Sequence, residues 1–432
     1  MTHPEAIDFL YGLRQFGAKL GLENVRRLAE LAGAPHRNLR FIHVAGTNGK
    51  GSVCAMLEAI YRAQGLRTGM FTSPHLVSFG ERIQVDRKPL SEESVARLVE
   101  EMRPWLATFP KEAHPTFFEV IAVMALRHFA DARCDVVLWE TGMGGRLDAT
   151  NIVTPRVSVI TNVDQDHQMW LGKDVAAIAG EKAGIVKPGV PVVTGVEQPE
   201  AFAVVEAAAR KCGAPLIRVT ETADAMRALG RLGLAGAHQW KNAALAVKVV
   251  EVLRGEWPVD AVLMAKALGE VSWPGRLQTV RLERGAEVLL DGAHNRGGFK
   301  VLCAHLDTLP AWRRPAWLVG FLEDKDRTGL WAGLQSRCSK LVIVPVQSVR
   351  TAPPGEVGSE AREALPGVPV SVHASVREAW SALREERRVV VAGSIYLVGE
   401  MMTYLGLSGT AAEPELNEWG PNRMNPVNPE NR

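Results

Sequence analysis

Residues 41–53 read FIHVAGTNGKGSV. An apolar run enters the loop Gly46-Thr47-Asn48-Gly49-Lys50-Gly51-Ser52, and an apolar-periodic stretch, residues 52–64, leaves it. That order predicts a strand, a tight turn and a helix. Three glycines let the backbone turn so that successive N–H groups face one anion. The helix N-terminus adds the positive end of its dipole. Lys50 supplies a full charge for β- and γ-phosphates, and Ser52 offers a hydroxyl to Mg2+. The string departs from G-x-x-x-x-G-K-[ST], because Gly51 stands between Lys50 and Ser52. A glycine-rich turn of no chemical purpose is the alternative, and the strand–loop–helix context argues against it. His43, inside the strand, reads as a packed core histidine.

Outward from this loop, short β-branched runs alternate with helical stretches. Strands are expected at 39–44, 68–71, 136–140, 157–161, 192–194 and 216–219, with helices such as 52–64, 117–129 and 175–183 between them. Continuous apolar strands are buried on both faces, which implies a parallel sheet flanked by helices. A second series follows at 287–290, 316–319, 341–344, 368–373 and 389–392, with helices such as 298–309 and 376–386. The fold class is therefore α/β. A P-loop-type, mostly parallel N-terminal domain is expected over 1–282, and a smaller Rossmann-like domain over 283–408. Pro274-Gly275 and the polar stretch 281–287 mark the junction. Residues 409–432, rich in Pro, Asn and Glu, are expected to form a flexible tail.

Bulk properties exclude several classes. The chain has 432 residues, 47% hydrophobic and 23% charged, with net charge +2. That length suits two or three domains at roughly 150 residues each. A near-neutral balance gives no reason to expect a nucleic-acid partner. No segment approaches the ~18 unbroken apolar residues of a membrane span, and the N-terminus lacks a signal-peptide pattern. Cys54, Cys134, Cys212, Cys303 and Cys338 are scattered and form no CxxC pair. Buried reduced thiols in a cytoplasmic protein are expected.

Further candidates end strands or begin helices. Glu140 closes an apolar run, and strand ends of open parallel sheets are where ligands bind. A carboxylate there suits Mg2+, although a salt-bridge role is equally open. Asp164, Asp166 and His167 cluster after the strand at 157–161. On chemistry alone the aspartates are the better ligands for a hard ion. Lys182 lies on a short helix among small residues, where a surface lysine fits the pattern as well.

Ten strings occur in one order: HVAGTNGKGSV (43–53), FTSPHLVSFGERI (71–83), TFFEVIAVMAL (116–126), ETGMGGRLDATN (140–151), NVDQDHQMWLG (162–172), EKAGIVKPG (181–189), GAHQWKNAALA (236–246), WPGRLQ (273–278), LLDGAHN (289–295) and VAGSIYLVGE (391–400). Together they resemble the folylpolyglutamate synthase/dihydrofolate synthase family of the Mur ligase superfamily, in its bifunctional bacterial form. The resemblance implies that Ser52, Glu140 and His167 hold two Mg2+ ions with Lys182, carbamylated, as a further oxygen ligand. It implies ATP contacts from Gly46, Thr47, Asn48, Gly49, Lys50, Gly51, Ser52, Asn242, Arg276 and Asp291. Lys50, Lys182 and His294 are the implied catalytic residues, His294 near the glutamate or acyl-phosphate end. Ser73, Pro74, His75, Arg82, Phe118 and Asp148 are expected at the pterin-binding cleft. Two positions depart from the family pattern: Arg296 replaces a proline after DGAHN, and Gln168 replaces a threonine after Asp166-His167.

The implied activity is ATP-dependent joining of L-glutamate to dihydropteroate, to the γ-carboxylate of folates, or to both, through an acyl phosphate. The implied partners are these small molecules, acting on a monomer with no nucleic acid or membrane. Another Mur-type amino-acid ligase is the nearest rival, but the stretch before residue 39 is too short for an added uridine-binding domain. A P-loop nucleotide-regulated binding protein is the rival of different class, and the second α/β series and DGAHN argue against it. An inactive scaffold is a third, disfavoured by the intact set Lys50, Ser52, Glu140, His167 and Lys182.

Overall fold

The computed structural model describes residues 1–17, 21–164, 174–221, 223–283, 285–327 and 329–408. Fourteen strands occur among them. In chain order they are β1 (Phe41–Ala45), β2 (Thr68–Phe71), β3 (Ile83–Val85), β4 (Lys88–Pro89), β5 (Val136–Glu140), β6 (Val157–Ile160), β7 (Val192–Thr194), β8 (Leu216–Arg218), β9 (Gln278–Arg281), β10 (Glu287–Leu290), β11 (Ala316–Val319), β12 (Lys340–Ile343), β13 (Val370–Val372) and β14 (Arg388–Ala392). They form an eight-stranded sheet, β4-β3-β2-β5-β1-β6-β7-β8, and a six-stranded sheet, β13-β12-β11-β14-β10-β9.

The first sheet is parallel except at the β2-β3-β4 edge. Every residue of β1 and β5 is buried, as expected for strands covered on both faces. Each large side chain so buried contributes about 1.5–3 kcal/mol relative to exposure. One face packs on the helix Phe117–Asp131, whose start is fixed by a capping box between Thr116 and Glu119. The other packs on the helices Lys50–Ala63, His238–Leu253 and Ala261–Glu270. Register aligns the central strands: Val44 lies opposite both Glu140 and Val159. The C-terminal ends of β1, β5 and β6 therefore share one rim, and the loops carrying Gly46, Thr141 and Thr161 emerge side by side.

Every strand expected from the sequence is present, within a few residues at its ends. The β3-β4 hairpin was not expected. Its turn residues Asp86 and Arg87 adopt φ of 50° and 63° without a glycine, so the usual Asn-Gly signal is missing. β9 was also not expected. It is a half-exposed edge strand, whose polar residues hide the strand pattern. β9 pairs antiparallel with β10, so the expected division at 282/283 falls inside this hairpin. The chain enters the second sheet at Gln278.

All five cysteines are free thiols, four of them buried. Among the described residues no helix is long and apolar enough to cross a membrane. Asp166, His167 and Gln168, and the expected tail 409–432, lie outside the described residues.

Candidate active site

The glycines of the phosphate loop are required by its shape. Gly49 has φ of 86° and caps the helix Lys50–Ala63 in the left-handed region. A Cβ there would lie 2.6 Å from Asn242 Oδ1. At Gly46, a Cβ would lie 1.8 Å from Thr161 Oγ1. No side chain caps this helix, so its first N–H groups face the rim. Lys50 curls back over the loop, its Nζ 3.1 Å from Gly46 O and 3.3 Å from Thr47 O.

The end of β6 holds the other flank of the loop. Thr47 N–H donates to Asn162 O at 3.1 Å, and Asn48 N–H to Asn162 Oδ1 at 2.8 Å. Thr161 Oγ1 donates to Asn48 O at 2.6 Å. Two of the amides expected to face phosphate are thus engaged within the protein. The amides left for an anion are those of Gly46, Gly49, Lys50, Gly51 and Ser52. Ser52 is buried and receives Gln239 Nε2 at 3.3 Å, and Gln239 Oε1 in turn receives Asn242 Nδ2 at 2.9 Å. Asn242 therefore braces the loop from behind through Gln239.

Glu140 is buried at the end of β5, with Ser73 N–H 3.3 Å from its Oε2. Cys54 lies close enough to both Glu140 and Lys50 for their charges to act on its thiol, which burial above all pushes well up. Ser52 and Glu140 offer a hydroxyl and a carboxylate, hard oxygen donors that fit Mg2+. Among the described residues no group of three or more His, Cys, Asp or Glu is placed to hold a metal. The main chain of Asp164 is tied to the loop, its N–H and carbonyl paired with Thr47 Oγ1.

Lys182 is buried, 3% exposed, on the helix Val175–Ala183, which disposes of the surface-lysine alternative. The glycine loop after Glu140 packs on this helix: Arg146 N–H donates to Glu181 O at 2.7 Å, and a Cβ on Gly145 would meet Lys182 O at 3.0 Å. Asn151 Nδ2 clamps both pieces through Arg146 O and Gly184 O, at 2.9 and 3.0 Å.

The second sheet supplies the facing wall. Asp291, at the end of β10, accepts Leu277 N–H at 2.8 Å and Ala293 N–H at 3.0 Å. Burial pushes its carboxyl above the usual range, opposed by the Arg276 guanidinium. His294 pairs its Nδ1 with Gly292 O at 2.8 Å. With that nitrogen as the donor, Nε2 is the ring's basic atom. Asn295 Nδ2 reaches Asn48 Oδ1 of the phosphate loop at 3.3 Å.

A cavity of about 940 Å3 opens between the two sheets. Its walls include Gly51, Ser73, Glu140, Trp273 and Arg276. Of the expected pterin-cleft residues, Ser73, Pro74 and His75 line it, while Arg82, Phe118 and Asp148 do not. Arg82 is fully buried, its Nε 2.7 Å from His75 Nδ1. That contact and burial hold the His75 imidazole neutral, its pKa well below the ordinary value. Asp148 caps a turn, taking Met143 N–H at 2.8 Å and Thr150 N–H at 3.0 Å. Phe118 is half-buried and packs over Gly142. These three shape the loops around the cavity from behind.

Sequence reasoning missed Thr161, Asn162, Gln239, Trp273 and Asn151 as supporting residues. All lie in the quoted strings or directly beside them, but nothing in residue type alone separates a polar brace from a polar surface position.

Comparison with known proteins agrees with this arrangement. The Mur ligase middle domain matches residues 44–250, and the Mur ligase glutamate ligase domain matches 275–395. The dihydrofolate synthase/folylpolyglutamate synthase of Bacillus subtilis is 36% identical over 348 residues, covering 75% of this chain and 80% of its own. The folylpolyglutamate synthase of Lacticaseibacillus casei is 30% identical over 439 residues, covering 94% and 99%. The structure of Mycobacterium tuberculosis folylpolyglutamate synthase complexed with ADP and AMPPCP superposes with a TM-score of 0.84 at 31% identity, covering 95% of this chain and 100% of its own. Domain matches, sequence and fold coincide over nearly the whole length, and this chain belongs to the folylpolyglutamate synthase/dihydrofolate synthase family of Mur ligases.

Proposed function

We propose that this chain is an ATP-dependent ligase joining L-glutamate to dihydropteroate and to the γ-carboxylate of folates. The carrying observation is the cavity whose walls bring together Gly51 of the phosphate loop, the Glu140 carboxylate and Arg276 of the second domain. It is large enough for a substrate acid to meet a nucleotide's terminal phosphate there. Relatives named for this activity, one complexed with ADP and AMPPCP, support the reading.

In the proposed reaction the triphosphate lies on the amides of Gly49–Ser52, with Lys50 released from the loop carbonyls to the phosphate oxygens. The substrate carboxylate attacks the γ-phosphorus, giving an acyl phosphate and ADP. The glutamate amine then attacks the acyl carbon, and phosphate leaves. Positioning and charge neutralisation supply most of the rate in such transfers. Mg2+, held by Ser52 and Glu140, would neutralise charge on the phosphate oxygens. His167, expected beside them, lies outside the described residues. Lys182 as a carbamate belongs to this proposal: a buried ammonium is costly, and the carbamate would be an anionic oxygen donor suited to the ion. His294, whose Nδ1 donates to Gly292 O, belongs to this proposal as a group near the entering glutamate. The second domain shields the acyl phosphate from water. The enzyme is proposed to work as a monomer.

The test is incubation with ATP, Mg2+, labelled glutamate and either dihydropteroate or a reduced folate. ADP release coupled to labelled amide product is expected. Absence of glutamate-dependent ADP release with every pterin acid would refute the reading.

A further inference from the structure

Residues 73–78 belong to the first domain by sequence, but Leu76 and Val77 pack in the second. Ser73 N–H meets Glu140 Oε2 at 3.3 Å. Three residues on, Leu76 and Val77 are buried in the hydrophobic core of the second sheet, among Leu290, Val391 and Val398. The link between them is held at His75 by Arg82 Nε, 2.7 Å from its Nδ1, and the far end of the segment is held by a single carboxylate. Glu81 accepts the consecutive N–H groups of Leu76, Val77 and Ser78, at 2.7, 3.0 and 3.0 Å. The docking point is Gly399, mid-helix in Ile395–Tyr404. A Cβ there would lie 1.8 Å from Leu76 O and 2.7 Å from its carbonyl carbon. Glycine inside a helix costs about 1 kcal/mol relative to alanine. The contact with backbone, which cannot swing aside as a side chain can, gives that glycine its reason.

We infer that residues 73–78 are a strap through which the second domain sets the Ser73–Glu140 contact, and that Gly399 is the positioning residue that admits it. The inference rests on the reading of Glu140 as part of the phosphoryl-transfer centre. Movement of the second domain carries Leu76 with it, and the short Ser73–Leu76 link, held at His75 by Arg82, transmits that movement to Ser73. A misplacement of about 1 Å at a reacting centre is enough to cost 10²-fold in rate.

The experiment compares the full-length wild type with Gly399→Ala, Leu76→Ala and a control, Gly355→Ala, a second-domain helix glycine with open space beside it. Hydrogen exchange of the Ser73 and 75–78 amides is read first, then kcat, the Mg2+ concentration for half-maximal rate, and AMPPCP affinity at saturating Mg2+. For Gly399→Ala and Leu76→Ala the expected result is faster exchange confined to 73–78, a kcat loss of about 10²-fold, a raised Mg2+ requirement and unchanged AMPPCP affinity. Gly355→Ala should match wild type throughout. Wild-type exchange and Mg2+ dependence in Gly399→Ala would overturn the inference. So would exchange that quickens across the whole second domain with AMPPCP affinity falling in parallel. The exchange comparison needs no turnover, so an inactive wild type would count against the proposed function and leave the strap to stand or fall separately.

Discussion

The side-chain Oδ1 of Asn162 accepts the main-chain N–H of Asn48 at 2.8 Å, while the carbonyl of the same residue accepts the N–H of Thr47 at 3.1 Å. One residue at the end of β6 thus fixes two consecutive amides of the phosphate loop, and the curvature of the loop follows from it. Removing the side chain in Asn162→Ala orphans the Asn48 N–H. The cost of an unsatisfied group of this kind is about 1–3 kcal/mol. Much of it is expected to appear as weaker nucleotide binding, because the loop loses its preformed shape. Calorimetric titration with AMPPCP should show an affinity loss of roughly tenfold or more. Unchanged affinity would mean the loop is shaped by Thr161 and its glycines alone.

Gly49 combines a conformational demand with a steric one. Its φ is 86°, and a Cβ would press on Asn242 Oδ1 at 2.6 Å. Gly49→Ala should therefore displace Asn242, which braces Ser52 through Gln239. Strained residues of this kind cost about 1–3 kcal/mol. The expected outcome is a melting temperature a few degrees lower, loss of AMPPCP-induced stabilisation and loss of turnover. Thermal melts with and without AMPPCP check it, and a nucleotide shift equal to wild type would contradict it.

The reach of the sequence reading follows from what residue type can encode. Continuous apolar runs mark doubly covered strands, so β1, β5 and β6 and their shared rim were legible, and Lys50, Ser52 and Glu140 with them. Edge elements were not: β9 is polar because one side meets water, and the Asp86-Arg87 turn takes positive φ without glycine. The family resemblance implied a place for Asp148 at the pterin-binding cleft. A carboxylate placed two residues before Thr150 can equally cap its own turn, and only the fold shows both oxygens engaged that way. Glu81 is a similar case. Its three amide partners lie three to five residues before it, invisible until the loop closes.

Burial makes Lys182 a sharper test than a surface lysine would be. In Lys182→Ala the helix Val175–Ala183 keeps its Asp174 cap and its hold on the Arg146 loop, so the fold should survive. If the side chain acts as a carbamate oxygen donor, kcat should drop by about 10²-fold or more, and added short carboxylic acids should partly restore it. Turnover assays with and without acetate or formate decide this, and a fully active alanine variant would exclude the role.

His43 provides a pH test that involves no substrate. It is fully buried in β1, with Nε2 3.0 Å from Thr150 Oγ1. That hydroxyl donates onward to Asp148 Oδ1, so the imidazole must be its donor, and the remaining nitrogen, Nδ1, is buried with no hydrogen-bond partner. A second proton would sit in a dry core with nothing to accept it. Burial first, and the charge of Lys187 second, bring the pKa down from 6.5 to about 3. The sign follows from the direction: a lowered pKa gives stability that is present above the unfolded value and is lost as pH falls towards the folded one. Between pH 6.5 and 3 the unfolded chain takes up a proton here that the folded chain refuses. Stability should fall by about 1.4 kcal/mol per pH unit for each such histidine once the unfolded form is protonated. Burial also lowers His238, to about 4, and His75, so both add to the same loss of stability as pH falls. His43→Gln keeps an amide donor near Thr150 and removes one titrating group. Urea unfolding in half-unit steps from pH 7 to 4 should give a variant curve shallower than wild type by that amount, even if the variant is less stable at pH 7. Parallel curves would show that His43 accepts its proton in the folded state, and that the Thr150–Asp148 chain opens to let it.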